Sequence, residues 1–90
     1  MDSEKEISLI PSHVLSNKKL SDDAKIFFGI VYYHCLTEGF TTFTNREYMN
    51  LLNWKQNRVQ KCIYILEKES LIEKKVIRDG YFPVREIKIR

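Results

Sequence analysis

The sequence predicts a small α+β domain that is mainly helical and ends in a two-stranded hairpin. A chain of 90 residues is long enough for one hydrophobic core and too short for two. In three stretches between Ser21 and Glu69, apolar residues recur at three- and four-residue spacing, which is typical of amphipathic helices. Further along, Asp79 and Gly80 form a turn signal between two runs with β-strand character. These observations together predict helices first and a hairpin last.

Composition excludes whole classes of protein. With 43% hydrophobic and 30% charged residues, the chain has the make-up of an ordinary globular protein. No apolar run approaches the roughly 20 residues that span a bilayer, so we expect no membrane partner. The mixed charge of the N-terminus does not fit a secretory signal, and we expect a cytoplasmic location. We expect residues 1–90 to form a single domain, with residues 1–6 as a flexible tail.

The sequence offers no catalytic or metal-binding pattern. Cys35 and Cys62 have no second ligand at metal-binding spacing, and we interpret both as small buried hydrophobic residues. His13 and His34 are equally isolated. The sequence contains no glycine-rich phosphate loop and no nucleophile with a placed base. We therefore expect no enzymatic activity, no metal and no cofactor.

Charge is distributed unevenly along the chain. The net charge is only +3, but residues 1–44 carry four lysines against six acidic residues, whereas residues 45–90 carry eleven lysines or arginines against six. A basic half on a small domain is the expected footprint of a nucleic-acid partner, because each neutralised phosphate releases counterions. A lysine-rich face that is merely solvated would explain the composition equally well.

The first part of the chain predicts an arm and a core helix. Apolar residues around Pro11 indicate that Ile7–Leu15 is an extended arm that turns into a short helical turn and packs on the body. Ser21 is a suitable N-cap for the helix that follows, which should end at about Glu38, before Gly39. The broad aromatic and branched face of this helix is typical of a central core helix.

Two helices with a short connection are predicted next. Phe40–Phe43 fits a brief strand, and Thr44 with Glu47 fits a capping box that begins a short helix. The helical pattern breaks near Asn53 and Trp54. A longer helix follows over about residues 55–69, with an apolar side formed by Val59, Cys62, Ile63 and Leu66. A short helix joined to a basic amphipathic one is the layout of a helix-turn-helix.

The terminal hairpin has two candidate registers. A two-residue turn would place Glu73 opposite Glu86. A four-residue loop, residues 79–82, would instead place Lys75 opposite Glu86. In that same register Lys88 would face Glu73. Because opposite charges across a ladder are favourable and like charges are not, we predict the four-residue loop.

The predicted order is an N-terminal arm, helix, short strand, helix, recognition helix and two-stranded wing, which is a winged helix-turn-helix. Four stretches stand in a recurrent order, namely Ile10-Pro11 with Val14-Leu15, Leu20-Ser21-Asp22-Asp23-Ala24-Lys25, Arg58-Val59-Gln60-Lys61, and Leu66-Glu67-Lys68 ahead of Leu71-Ile72. On these stretches, residues 7–90 resemble the winged helix-turn-helix domains at the front of many plasmid and phage replication initiators of low-GC Gram-positive bacteria. The chain departs from them at Tyr48-Met49, often leucine-alanine, and at Ser70, usually glycine. The resemblance implies DNA binding in replication initiation or transcription regulation of a plasmid, phage or other mobile element.

The candidate DNA-binding residues on the predicted recognition helix share its outward face. No acidic residue precedes Glu67 on this face, which carries Asn57, Gln60, Lys61, Tyr64 and Lys68. Amide side chains can bond to adenine, and basic ones to guanine or phosphate, so the mixture suits contacts with bases as well as with the backbone. Lys55 and Arg58, nearer the beginning of the helix, are expected to bind phosphates, with Gln56 beside them.

The predicted wing extends this basic surface. Its cations are Lys74, Lys75, Arg78 and Arg85, of which the first three are candidate phosphate contacts. At the hairpin tip, Tyr81 is a candidate DNA contact, and together with Phe82 it could enter a minor groove or stack on unpaired bases. Alternatively, both aromatic side chains could fold back on the hairpin.

We expect double-stranded DNA as the partner, which would associate the protein with the nucleoid or a plasmid. Single-stranded DNA binding stays open. A homodimer would supply two recognition helices, and tight specific binding usually needs two half-sites. The alternative function is a protein-interaction module that recruits a replication or regulatory factor, with Ile7–Leu15 and the wing aromatics as its docking surface.

Overall fold

The secondary structure of this protein follows the predicted order. The computed structural model describes residues 10–78 and 80–90. The elements are α1 (Ser12–Leu15), α2 (Asp22–Cys35), α3 (Asn45–Leu52), α4 (Gln56–Lys68), β1 (Ile72–Ile77) and β2 (Val84–Ile89). The mainly helical α+β class is confirmed. The predicted tail, residues 1–6, and the first part of the arm, residues 7–9, lie outside the described residues.

The described end of the arm packs tightly on α2. Val14 is fully buried and Ile10 is 9% exposed. A Cβ atom placed on Gly29 would lie only 2.6 Å from Cγ1 of Ile10. The arm therefore approaches the helix at a position where glycine leaves the necessary space. For residues 10–15, the predicted packing of the arm on the body is confirmed.

The helix α2 lies at the centre of the core. The Ser21 hydroxyl accepts a hydrogen bond from the Ala24 amide at 3.1 Å, as expected of an N-cap. The helix ends at Cys35 rather than at about Glu38, because the Leu36 amide bonds to the Tyr33 carbonyl at 3.2 Å and tightens the last turn. Gly39, three residues beyond Leu36, adopts a left-handed conformation with a φ of 81°.

The predicted strand Phe40–Phe43 is reduced to a single bridge between Thr41 and Ile87. Each of these two residues donates its amide to the other's carbonyl at 2.9 Å. The Thr41 hydroxyl then accepts from the Phe43 amide at 3.2 Å, which turns the backbone away from β2. The side-chain hydrogen bond thus ends the ladder after one residue pair.

The two helices of the predicted helix-turn-helix form with the expected boundaries. The capping box of α3 is present, since Thr44 accepts from the Glu47 amide and the Glu47 carboxylate accepts from the Thr44 amide. A left-handed Asn53, with a φ of 56°, ends α3, and Lys55 is the N-cap of α4. The predicted apolar side of α4 is buried and consists of Val59, Cys62, Ile63 and Leu66.

The hairpin adopts the register that charge pairing predicts. Lys75 lies opposite Glu86, Glu73 opposite Lys88, and Ile72 opposite Ile89. Ile72 and Ile87 point into the core, where the hydrophobic cluster also includes Phe27, Phe28, Tyr48 and both cysteines. The interpretation of Cys35 and Cys62 as buried hydrophobic residues is confirmed. Within residues 10–78 and 80–90, none of the helices combines the length and apolarity needed to cross a membrane.

Candidate nucleic-acid interface

The outward face of α4 brings most of the predicted helix residues together. Lys55, Gln56 and Lys68 are exposed on this helix. Between them lies an open depression, lined by Asn57, Arg58, Gln60, Lys61 and Tyr64 from α4 and by Asp23 from α2. Tyr64 is 63% exposed. The face therefore presents amide, basic and phenolic groups to solvent on one surface, a combination suited to both bases and phosphates.

Arg58 makes two hydrogen bonds to Asp23 within this depression. Its Nε donates to Oδ2 at 2.7 Å, and its Nη2 donates to Oδ1 at 2.8 Å. The guanidinium also lies over the Trp54 ring, with Cζ 4.1 Å from the ring centroid. Hydrogen bonds from Arg58 lower the pKa of Asp23, and the same pairing raises the pKa of Arg58. Arg58 is thus held in one orientation at the surface.

Arg58 contacts two residues, Asp23 and Trp54, that no pattern in the sequence assigns to the interface. Asp23 is interpretable from the sequence only as a first-turn acid of α2, and Trp54 only as part of a break between helices. Asp23 lies 35 residues before Arg58, so local spacing gives no signal for this pair. The absence of acidic residues holds for α4 before Glu67, but the packing of α2 adds one carboxylate to the same surface.

The predicted wing cations do not share one face. Successive residues of a strand point to opposite sides, so Lys74 and Lys75 project in opposite directions. Lys74 lies 3.5 Å from the carboxylate of Glu67 on α4, which partly neutralises its charge. Lys75 lies opposite Glu86, and Arg78 is exposed beyond the end of β1.

Arg85 differs from the expectation that it adds to the exposed basic wing. Its Nη1 donates to Oδ1 of Asn45 at 2.5 Å, and its Nη2 donates to the Phe43 carbonyl at 2.6 Å. Burial lowers the pKa of Arg85. The side chain points inward because it occupies the same side of β2 as Ile87. Arg85 therefore joins β2, close to the loop end of the hairpin, to the beginning of α3 and the residues before it.

The wing tip is aromatic and open to solvent. Tyr81 is 99% exposed and Phe82 is 81% exposed. The alternative in which these two side chains fold back on the hairpin is therefore wrong. Both rings remain accessible to a partner that offers stacking or apolar contact.

A second surface, an apolar groove, lies between α2 and α3. It has a volume of about 590 Å³ and is lined by Ile10, Ile26, Gly29, Ile30, Tyr33, His34, Leu51 and Leu52. At its edge the His34 ring stacks on Phe43, with centroids 4.2 Å apart, and burial lowers the pKa of this histidine. Tyr33 and Leu51, which line this groove, are 49% and 55% exposed. Across the part of the chain that the structure describes, acidic, histidine and cysteine side chains form no cluster suited to a metal ion.

Neither a protein-family model nor a curated protein matches the chain. Solved structures do. An N-terminal domain of a DNA-binding protein superposes with a TM-score of 0.67 at 21% identity, covering 90% of this chain and 71% of that one. A Rep–DNA complex gives 0.67 at 20% identity, covering 90% and 72%. A transcriptional regulator homologue from Pyrococcus horikoshii OT3 gives 0.55 at 20% identity, covering 100% and 77%. With four helices in residues 10–78, a helix-turn-helix pair among them and a terminal hairpin, this chain has the winged helix-turn-helix fold.

Proposed function

We propose that this protein binds double-stranded DNA through α4 and the wing, in replication initiation or transcription regulation of a plasmid, phage or other mobile element. The observation that carries the proposal is the exposed face of α4, where amide and basic side chains surround one open depression. Such a face suits the major groove, which admits an α-helix and presents both acceptors and donors. Similarity in fold to the protein of a Rep–DNA complex supports the same function.

The proposed interface has two parts with different chemistry. The helix contributes Lys55, Gln56, Asn57, Arg58, Gln60, Lys61, Tyr64 and Lys68. The wing contributes Lys74, Lys75, Arg78 and Tyr81. In this arrangement the helix supplies most contacts with base edges, whereas the wing lysines and Arg78 bind phosphates.

The test removes two exposed cations from the outward face of α4. The double variant Lys61→Ala with Lys68→Ala should weaken duplex binding and flatten its salt dependence by roughly two units, because each phosphate contact contributes about one. The matched control is Lys18→Ala with Lys19→Ala, which removes the same charge from an exposed segment outside the interface. Binding is measured by fluorescence anisotropy with a labelled duplex across a salt series. Equal binding by the two double variants would refute the assignment of α4.

A second candidate function is docking on a replication or regulatory protein, and the apolar groove favours it. Ile26, Tyr33 and Leu51 expose about half of their surface beside this groove. Contiguous exposed apolar surface is characteristic of interaction sites. DNA binding weakens steeply as salt rises, whereas apolar docking does not, so a salt titration of any complex distinguishes the two functions.

Single-stranded DNA is the remaining alternative, and the exposed wing tip favours it. Tyr81 and Phe82 could stack on unpaired bases, and each stacked base contributes about 1–3 kcal/mol. Competition between a labelled duplex and either unlabelled strand measures the preference directly. Displacement by the single strand at lower concentration than by the duplex would support this alternative.

A further inference from the structure

We propose that Arg58 contacts a guanine in the major groove and that Asp23 is the residue that positions it. This assignment rests on the proposed DNA binding and deepens it, because it gives one side chain of the interface a base type. It also replaces the phosphate contact that the sequence suggests for Arg58.

The geometry of the pair leaves one edge of the guanidinium for a ligand. Asp23 accepts hydrogen bonds from Nε and Nη2, which form one edge of the planar group. The Trp54 ring covers one face of it. Nη1 has no hydrogen-bond partner among residues 10–78 and 80–90, and Nη2 keeps a second N–H. The free edge of Nη1 and Nη2 is a two-donor fork, and Arg58 lines the depression of the candidate interface.

This fork matches guanine better than other base edges. Guanine presents two acceptors, O6 and N7, in the major groove, and an arginine fork binds them with two parallel hydrogen bonds. Adenine offers one acceptor beside a donor, which would meet a second donor at this position. A side chain held from two sides also loses little conformational freedom on binding.

The charge of Asp23 distinguishes a guanine contact of Arg58 from a phosphate contact. Asp23 balances the charge of Arg58, and the two side chains are 36% and 50% exposed, so the carboxylate stands at the surface beside the fork. A phosphate at the fork would be attracted by Arg58 and repelled by Asp23. Asp23 repels a neutral base edge less than it repels a charged phosphate. The pair therefore favours a guanine over the backbone.

The experiment begins with selection of bound sequences from a pool of randomised duplexes, using the full chain. Guanines of the selected site are then replaced one at a time by 7-deazaguanine, which lacks the N7 acceptor. For the wild-type protein, one such replacement should weaken binding by roughly 5- to 150-fold. Arg58→Met removes every donor of this side chain, so 7-deazaguanine at that position should weaken the binding of this variant little further.

Asp23→Asn tests the positioning role, and Asp22→Asn is its matched control. Both substitutions remove one carboxylate from the first turn of α2, but only Asp23 contacts Arg58. Both should tighten binding to a scrambled duplex. Only Asp23→Asn should reduce the penalty for 7-deazaguanine, because Arg58 is then less firmly oriented. Thermal melting of each variant checks that the fold is retained.

The outcomes distinguish this inference from the proposed function. A wild-type chain that binds no duplex at low salt overturns both. A wild-type chain that selects a sequence but shows no sensitivity to 7-deazaguanine overturns the guanine contact alone. Full sensitivity in Arg58→Met likewise overturns the guanine contact, and full sensitivity in Asp23→Asn overturns the positioning role of Asp23.

Discussion

At the scale of single residues, neutral and charged side chains of the proposed interface should respond differently to salt. Asn57→Ala or Gln60→Ala should cost about 1–3 kcal/mol on a preferred duplex and leave the salt slope unchanged, because an amide displaces no counterion. Lys75→Ala or Arg78→Ala should weaken binding to all sequences alike and flatten the slope by about one unit each. Binding constants for a preferred and a scrambled duplex, measured across a salt series, check both expectations.

Lys74 is an internal control for this comparison. Because Glu67 lies 3.5 Å from its ammonium group, Lys74→Ala should flatten the salt slope less than Lys75→Ala does. If instead the wing variants relax sequence preference while Asn57→Ala and Gln60→Ala weaken every duplex equally, the wing rather than α4 contacts the bases.

His34 should make stability depend on pH near neutrality. Its pKa lies below the ordinary 6.5, chiefly because of burial, with the charge of Glu47 opposing the shift. The unfolded chain therefore binds a proton more readily than the folded one. This contribution to stability is fully present above about pH 6.5 and declines as the pH falls from there toward the folded pKa. Urea denaturation at about pH 7.5 and at about pH 5.5 measures the difference.

The variant His34→Phe isolates that contribution. Phenylalanine can keep the stacking on Phe43, whose centroid lies 4.2 Å away, but cannot bind a proton. Its free energy of unfolding should fall less than that of the wild-type protein between the two pH values. Identical losses in the two proteins would assign the pH dependence to other groups.

At the scale of elements, the contact between the arm and α2 can be tested through Gly29. Alanine stabilises a helix interior by about 1 kcal/mol relative to glycine. Here its Cβ would lie 2.6 Å from Cγ1 of Ile10, and overpacking of this kind costs about 1–3 kcal/mol. We expect Gly29→Ala to be neutral or destabilising in the wild-type protein. With Ile10→Ala already present, the same substitution should stabilise by about 1 kcal/mol.

A double-mutant cycle from chemical denaturation gives the coupling between the two positions. Ile10→Ala alone is the control for the loss of buried apolar surface. A stabilising Gly29→Ala substitution in the wild-type protein, equal to that in the Ile10→Ala background, would show that the arm does not press on α2.

Elements with local signals could be predicted from the sequence. The capping box at Thr44 depends on residues three apart, and the hairpin register depends on charges that oppose each other only in one alignment. The strand predicted at Phe40–Phe43 is only one residue pair long, because a hydrogen bond from the Phe43 amide to the Thr41 hydroxyl ends it. Arg85 and the pair of Asp23 with Arg58 depend on how helices and hairpin pack, and that information is not local in the sequence.

At the scale of the whole molecule, two separate surfaces are open to partners. The open depression on α4 and the apolar groove between α2 and α3 share no residue. Hydrogen bonds from Arg85 and the bridge between Thr41 and Ile87 attach β2 to the segment that precedes α3 and to α3 itself. The helix-turn-helix and the wing are therefore joined by polar contacts as well as by the core. A partner in the groove and a duplex on α4 need not compete for the same side chains.

The buried thiols of Cys35 and Cys62 can report on local opening of this molecule. Cys35 donates to the Ile87 carbonyl at 3.5 Å, where α2 meets β2, and Cys62 lies on the inner side of α4. Burial raises the pKa of both, that of Cys62 to about 11, which disfavours the reactive thiolate while the fold is closed. Labelling by a thiol reagent should therefore proceed through local opening.

Variants with one cysteine separate two opening events. In Cys62→Ala the labelling rate of Cys35 follows separation of the wing from α2, and in Cys35→Ala the labelling rate of Cys62 follows release of α4. A bound duplex that holds α4 and the wing together should slow both rates, and mass spectrometry of the labelled chain times each one.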